Sequence, residues 1–134
     1  MAKTERPKEE DIQPLKEITG FILDQFKLPD LPLGSKGQLA AHGCGIAAVH
    51  NAVVMLGKKS CLFDVYRYFN DDSKLIKRTF VNPIAILKYL KKEGFHTSIR
   101  WFADKFPDFG TYIAVYKWEH DGARDLHYQM IAKV

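Results

Sequence analysis

Residues 37–57, GQLAAHGCGIAAVHNAVVMLG, constrain this chain more than any other stretch. Gln38 precedes Cys44 by six positions, the cysteine lies between two glycines, and small and apolar residues follow it. The pattern predicts a helix over residues 44–56 that begins at the cysteine and, being poor in large polar side chains, is buried. A thiol at a helix N-terminus lies at the positive end of the helix dipole, which we expect to lower its pKa toward the thiolate.

Two parts of an acyl-transfer site are recognisable in this stretch. Cys44 supplies a nucleophile, and the side-chain amide of Gln38 can return to the same point and donate to an oxyanion. The alternative is that Cys44 is a small buried hydrophobe and Gln38 an ordinary loop residue. The flanking glycines favour a reactive Cys44, whereas Cys61 has no such context and is interpreted as core packing.

The base must come from one of five histidines. His42 is too close in sequence to oppose the thiol, and His50, on the same helix as the thiol, is expected to be a packed or hydrogen-bonded core residue. The patterns around His96 and His120 predict surface positions at strand ends or turns. His127 opens a predicted strand after a polar connection at residues 120–125, so it is our candidate base.

Three further helices are predicted from apolar spacing and capping signals. The first covers residues 8–27 and the second follows an N-cap at Ser60, with Val65, Tyr66 and Phe69 facing inward. The third covers residues 83–93 with Pro83 at its first position, and its predicted apolar stripe consists of Ile84, Leu87 and Leu90.

The periodicity changes in the last third of the chain, where residues 95–101, 111–118 and 127–134 predict strands. Helices followed by antiparallel strands indicate an α+β domain, with the helices packed on a small sheet. A length of 134 residues favours one domain.

Composition narrows the function classes. Two cysteines without zinc spacing predict neither a disulfide framework nor a metal site, and we expect no cofactor. The net charge of +4 includes no long run of like charges, so a nucleic-acid arm is not indicated. The polar start of the chain shows no signal peptide, and no apolar run is long enough to span a bilayer. A reduced, cytoplasmic protein is the resulting expectation.

Gln38, five residues and then Cys44-Gly45-Ile46-Ala47-Ala48 resemble the papain-like cysteine peptidases. The resemblance is to the bacterial branch that trims double-glycine leaders from bacteriocin precursors. Residues 82–95 look like the segment in those domains where a helix is followed by Gly-Phe, and residues 127–131 resemble their histidine-bearing strand. The similarity extends from Gln38 to the end of the chain.

This resemblance implies a single papain-like domain over residues 1–134. Residues 1–30 would be an N-terminal helical extension and residues 38–134 the peptidase-like core. It also implies Cys44 as nucleophile, His127 as general base and then acid, and Gln38 as oxyanion donor, acting on a peptide or protein substrate without a cofactor.

Two departures from the family pattern leave other functions open. Gly43 stands where the family usually has Asp, and none of the seven residues after His127 is the Asp or Asn that would orient its imidazole. Asp121, Asp125 and Asn51 are the remaining candidates for that role, and Gln129 shares a strand face with the histidine. The alternatives to a peptidase are therefore a catalytically silent peptide-binding domain and a thiol acyltransferase.

Overall fold

The computed structural model describes residues 9–100, 110–120 and 123–133 of a mixed α+β protein. The helices lie in residues 9–92, and a long antiparallel hairpin follows in residues 110–133. Three two-stranded antiparallel sheets are present in these ranges. The elements are α1 (Glu9–Glu17), β1 (Pro32–Leu33), β2 (Gly37–Gln38), α2 (Leu39–His42), α3 (Cys44–Met55), α4 (Leu62–Phe69), β3 (Leu75–Ile76), β4 (Phe80–Val81), α5 (Pro83–Lys92), β5 (Gly110–His120) and β6 (Ala123–Lys133). The predicted α+β class is confirmed at this level.

Helix α3 is the centre of the core. Nine of its twelve residues are buried, and it lies between α4 on one side and the β5–β6 hairpin on the other. The predicted helix at Cys44 is therefore confirmed, together with its buried position. None of the helices in the described ranges is long and apolar enough to cross a membrane.

The β5–β6 hairpin is longer than its sequence pattern predicted. Eleven residue pairs run from Gly110 opposite Lys133 to His120 opposite Ala123. The predicted polar connection at residues 120–125 is wrong, because both strands continue into it. His127 consequently lies within β6 and not at the start of a strand.

Helix α1 ends at Glu17, ten residues before the predicted end. Beyond it, the carbonyl of Gly20 accepts from His50, and both backbone groups of Ile22 are bound by Asn51. His50 and Asn51 of α3 thus hydrogen-bond to backbone groups that a longer α1 would use for its own i to i−4 hydrogen bonds. The chain therefore leaves the helix and regains one short 3₁₀ turn at Gln25–Lys27.

The other two predicted helices form, with differences at their ends and faces. Val65, Tyr66 and Phe69 are buried in α4 as predicted. The N-cap of α4 is Cys61 and not the predicted Ser60, whose hydroxyl is hydrogen-bonded to His50. In α5, Asn82 caps the helix through the N–H of Ile84, and Pro83 occupies the first turn.

The buried face of α5 matches the predicted stripe only in part, since Leu90 packs against the core while partly buried. Ala85, Ile86 and Tyr89 are buried, whereas Ile84 is 40% exposed. Tyr89 is on the buried face, where its ring centroid lies 5.5 Å from that of the fully buried Phe69. Residues 95–100 do not form the predicted strand and are irregular, and Trp101 lies outside the described residues.

Candidate active site

Cys44 is the first residue of α3 and is buried. A tight turn at Gly43 delivers it there, with the Gly43 N–H donating to Leu39 O at 2.8 Å. A Cβ atom at Gly43 would lie 2.3 Å from that same oxygen, so only glycine fits the junction of α2 and α3. The first turn of an α-helix leaves backbone N–H groups without intrahelical acceptors. The Cys44 thiol therefore lies at the N-terminus of α3, the positive end of its helix dipole.

Gly45 lets the C-terminal hairpin approach this turn closely. A Cβ atom there would lie 2.9 Å from Cβ of Val81 and 3.4 Å from Cδ2 of Tyr128. Tyr128 is buried on β6 and its hydroxyl donates to the carbonyl of Val81. Burial, with a contribution from the neighbouring Cys44, raises the pKa of Tyr128. Tyr128 thus fixes β6 against the start of α3, and His127 is the residue directly before it.

A cavity of about 560 Å³ opens at this junction, and both Cys44 and His127 line it. Three parts of the chain form its walls. Residues 21–26 form one wall, residues 127–130 of β6 form another, and α3 contributes Cys44, Ala47, Ala48, Asn51 and Met55. The structure therefore brings the predicted nucleophile and the predicted base into one cleft.

His127 is half-buried and contacts an aromatic ring on the neighbouring strand. Tyr116 lies directly opposite it in the β5–β6 register, and the two ring centroids are 5.2 Å apart at an interplanar angle of 62°. Gln129, on the same face of β6, also lines the cavity. Tyr116 is a neighbour of the base that sequence reasoning missed, because identifying it requires the strand register.

The residues considered for orienting His127 have different positions. Asn51 lines the cavity, but its Oδ1 accepts the Ile22 N–H at 2.7 Å and its Nδ2 donates to Ile22 O at 2.9 Å. It therefore holds residues 20–26 and is not assigned to the imidazole. Asp125 is placed by its register opposite Trp118, and Asp121 lies outside the described residues.

Gln38 is exposed at the N-terminus of α2 and does not line the cavity. Its backbone N–H donates to Nδ1 of His42 at 3.0 Å. His42 therefore binds the start of its own short helix, in agreement with its exclusion as the base. The role of the Gln38 side chain as an oxyanion donor stays a prediction.

His50 is a fully buried, hydrogen-bonded core residue, as predicted. Its Nε2–H donates to Gly20 O at 2.7 Å, which leaves Nδ1, 2.9 Å from Ser60 Oγ, to accept from the hydroxyl. Burial lowers the pKa of His50, and the bond to Gly20 opposes that shift only in part. The imidazole is thus a neutral link between α3 and the segment that follows α1.

A signal for Asn51 was present in the sequence. It lies seven residues after Cys44, so the two share a face of α3, together with Ala47, Ala48 and Met55. Within the described ranges, no cluster of three or more His, Cys, Asp or Glu side chains is placed to hold a metal ion.

No family model matches this sequence, and comparisons with curated proteins and with solved structures found no match to it. The cleft itself is therefore the basis for assigning a function.

Proposed function

We propose that this protein is a papain-like thiol hydrolase that cleaves peptide bonds. The observation that carries the proposal is that Cys44 and His127, from the helical part and the hairpin of the chain, line the same cavity. A thiol at a helix N-terminus that shares a cleft with an imidazole has the two groups from which a sulfur nucleophile is activated.

The proposed reaction proceeds through a thioester. His127 accepts the proton of Cys44, and the thiolate sulfur attacks the carbonyl carbon, forming a C–S bond. The backbone N–H groups at the start of α3 stabilise the resulting oxyanion. His127 then gives the proton to the leaving amine as the C–N bond breaks. It next deprotonates a water whose oxygen bonds to the thioester carbon, and the C–S bond breaks to release the carboxylic acid and return the proton to Cys44.

The edge of β6 supports a peptide as the substrate. In the part of the chain that the structure describes, β6 pairs with β5 alone. Four successive residues of β6 line the cavity, although neighbouring strand residues point to opposite faces. The cavity thus follows an edge of the strand, where backbone N–H and C=O groups are available to pair with an extended peptide.

The test is the rate of Cys44 alkylation by iodoacetamide as a function of pH, read by mass spectrometry. Because a thiolate reacts and a thiol does not, Cys44 should alkylate well below the pH of about 8.5 at which an unperturbed thiol titrates. The variant His127→Ala should move this profile to higher pH. Cys61, whose Sγ donates to Lys16 O, is the internal control and should be unaffected by the substitution.

If Cys44 titrates like an ordinary thiol, or His127→Ala leaves its profile unchanged, the proposed catalytic pair is refuted. With an activated pair, mass spectrometry of a peptide mixture separates hydrolysis from acyl transfer. Hydrolysis releases a free carboxylic acid, whereas transfer to an added amine forms a new amide.

A second candidate is a peptide-binding domain without turnover. The exposed position of Gln38, outside the residues that line the cavity, favours it, because a predicted oxyanion donor is then missing. This candidate predicts an ordinary pH profile for Cys44 together with peptide binding in the cleft.

A further inference from the structure

Residues 20–26 are attached to the nucleophile's own helix and not only to their chain neighbours. His50 binds the carbonyl of Gly20, and the amide of Asn51 binds both backbone groups of Ile22. Asn51 and Cys44 lie on one face of α3, seven residues apart. The segment therefore has a fixed position relative to the thiol.

The side chains that this segment presents are apolar and exposed. Phe21 is 49% exposed, Leu23 96% and Phe26 72%, and all three line the cavity together with the exposed Met55. Of the eight large hydrophobic side chains exposed in the described ranges, these four border this one cleft. Exposed apolar side chains concentrated in this way are typical of a binding surface and not of a solvated one.

The charges of the cleft narrow what it accepts. Among the described residues that line it, Asp24 is the one with a permanent charge, and its carboxylate also accepts the N–H of Phe26 at 3.0 Å. Neither Lys nor Arg is among these residues, although the chain as a whole has a net charge of +4. An acidic ligand would thus meet the Asp24 carboxylate with no Lys or Arg to balance it, and a protonated His127 is offset by the Cys44 thiolate. A neutral or basic ligand is not repelled.

We propose that residues 20–26, held in place by Asn51, form a specificity wall that selects peptides with a large apolar side chain beside the bond attacked by Cys44 and rejects acidic ones. The proposal rests on the proposed function, because it assigns the substrate class of the same cleft. Asn51 is a positioning residue in it: its side chain acts on Ile22 and, through Ile22, on the wall.

The test compares three reagents with the same reactive carbon and leaving group. They are iodoacetamide, its N-phenylethyl derivative and its N-carboxyethyl derivative, and in each the thiolate displaces iodide to form a thioether. Each alkylation rate at Cys44 is divided by the rate of the same reagent with free cysteine. Partial burial of the phenyl ring should make this ratio on the order of tenfold larger for the N-phenylethyl reagent than for iodoacetamide. The carboxyethyl reagent should be slower than iodoacetamide.

Variants then locate the preference. Phe26→Ala, at an exposed position, should lower the rate of the apolar reagent relative to that of iodoacetamide. Asn51→Ala should do the same by releasing Ile22. Ile84→Ala removes another exposed apolar side chain, on α5 and outside the cavity lining, and should leave the preference intact.

The outcomes separate this inference from the proposed function. Equal normalised rates for the three reagents, or a preference that survives both Phe26→Ala and Asn51→Ala, overturn the specificity wall even if Cys44 is activated by His127. A preference that the two variants abolish supports the wall even if the pH profile of Cys44 is that of an ordinary thiol.

Discussion

Substituting Gly45 by alanine tests whether the close packing at the start of α3 is what holds the cleft together. The added Cβ would lie 2.9 Å from Cβ of Val81 and 3.2 Å from its Cγ2. Val81 is fully buried, and its carbonyl accepts the hydroxyl of the buried Tyr128, so neither neighbour has room to yield. Overpacking of this kind typically costs about 1–3 kcal/mol.

One favourable term opposes this cost. Replacing glycine by alanine within a helix is favourable by up to about 1 kcal/mol. After subtraction of the full gain, the free energy of unfolding of Gly45→Ala should be lower than that of the native protein by up to about 2 kcal/mol. The clash lies between α3 and Val81 of β4, and the Val81 carbonyl accepts the Tyr128 hydroxyl, so a displaced Val81 should also move β6 away from Cys44. The pH profile of Cys44 alkylation should then shift toward that of His127→Ala.

Urea unfolding followed by fluorescence measures the stability change, and Gly20→Ala is its matched control. A Cβ at Gly20 meets no atom within 4 Å. That variant should thus be unchanged or more stable by up to about 1 kcal/mol, because alanine restricts the unfolded chain. If Gly45→Ala were as stable as Gly20→Ala and kept the native alkylation profile, the argued coupling of α3 to β6 through Val81 would be refuted.

Two further predictions concern the core and α5. Burial lowers the pKa of His50 below its ordinary value of about 6.5, so near and below that pH the unfolded chain binds more protons than the folded protein. The free energy of unfolding should therefore fall as the pH is lowered through 6.5, by at most about 1.4 kcal/mol per pH unit. Urea unfolding between pH 7 and 5 should show this slope, and its persistence in His50→Gln would contradict the assignment. Asn82→Ala removes the acceptor of the Ile84 N–H, 2.9 Å away, and should cost about 1 kcal/mol. Asn82→Asp should retain most of that stability, and equal losses in the two variants would argue against the cap.

The elements that the sequence predicted well are those determined by short-range signals. The helix beginning at Cys44 follows from an uninterrupted run of small and apolar residues, and the helix at Pro83 follows from an Asn-Pro start that the structure confirms as a cap. Cys44 and His127 were each chosen from local signals, one at a helix start and the other on a strand. Their position in one cleft depends on contacts between α3 and β6, which are far apart in sequence.

The failures arise from contacts between residues far apart in sequence. The end of α1 depends on Asn51, which lies 29 residues after the Ile22 backbone that it binds. The buried face of α5 depends on the packing of Tyr89 against Phe69. Apolar periodicity carries no information about either contact. The helix predicted at α1 was therefore too long, and the apolar stripe predicted for α5 was partly misplaced.

The two walls of the cleft depend on α3 in different ways. Cys44 and the anchor Asn51 belong to one rigid helix, so the distance between the thiol and residues 20–26 is determined by that helix and two hydrogen bonds to Ile22. His127 arrives on a separate strand, and its approach depends on the contact of Gly45 with Val81 and Tyr128. Selectivity and activation should therefore be separable. Releasing the Asn51 anchor should change which reagents Cys44 prefers without changing its pH profile, whereas crowding Gly45 should change the pH profile without abolishing the preference.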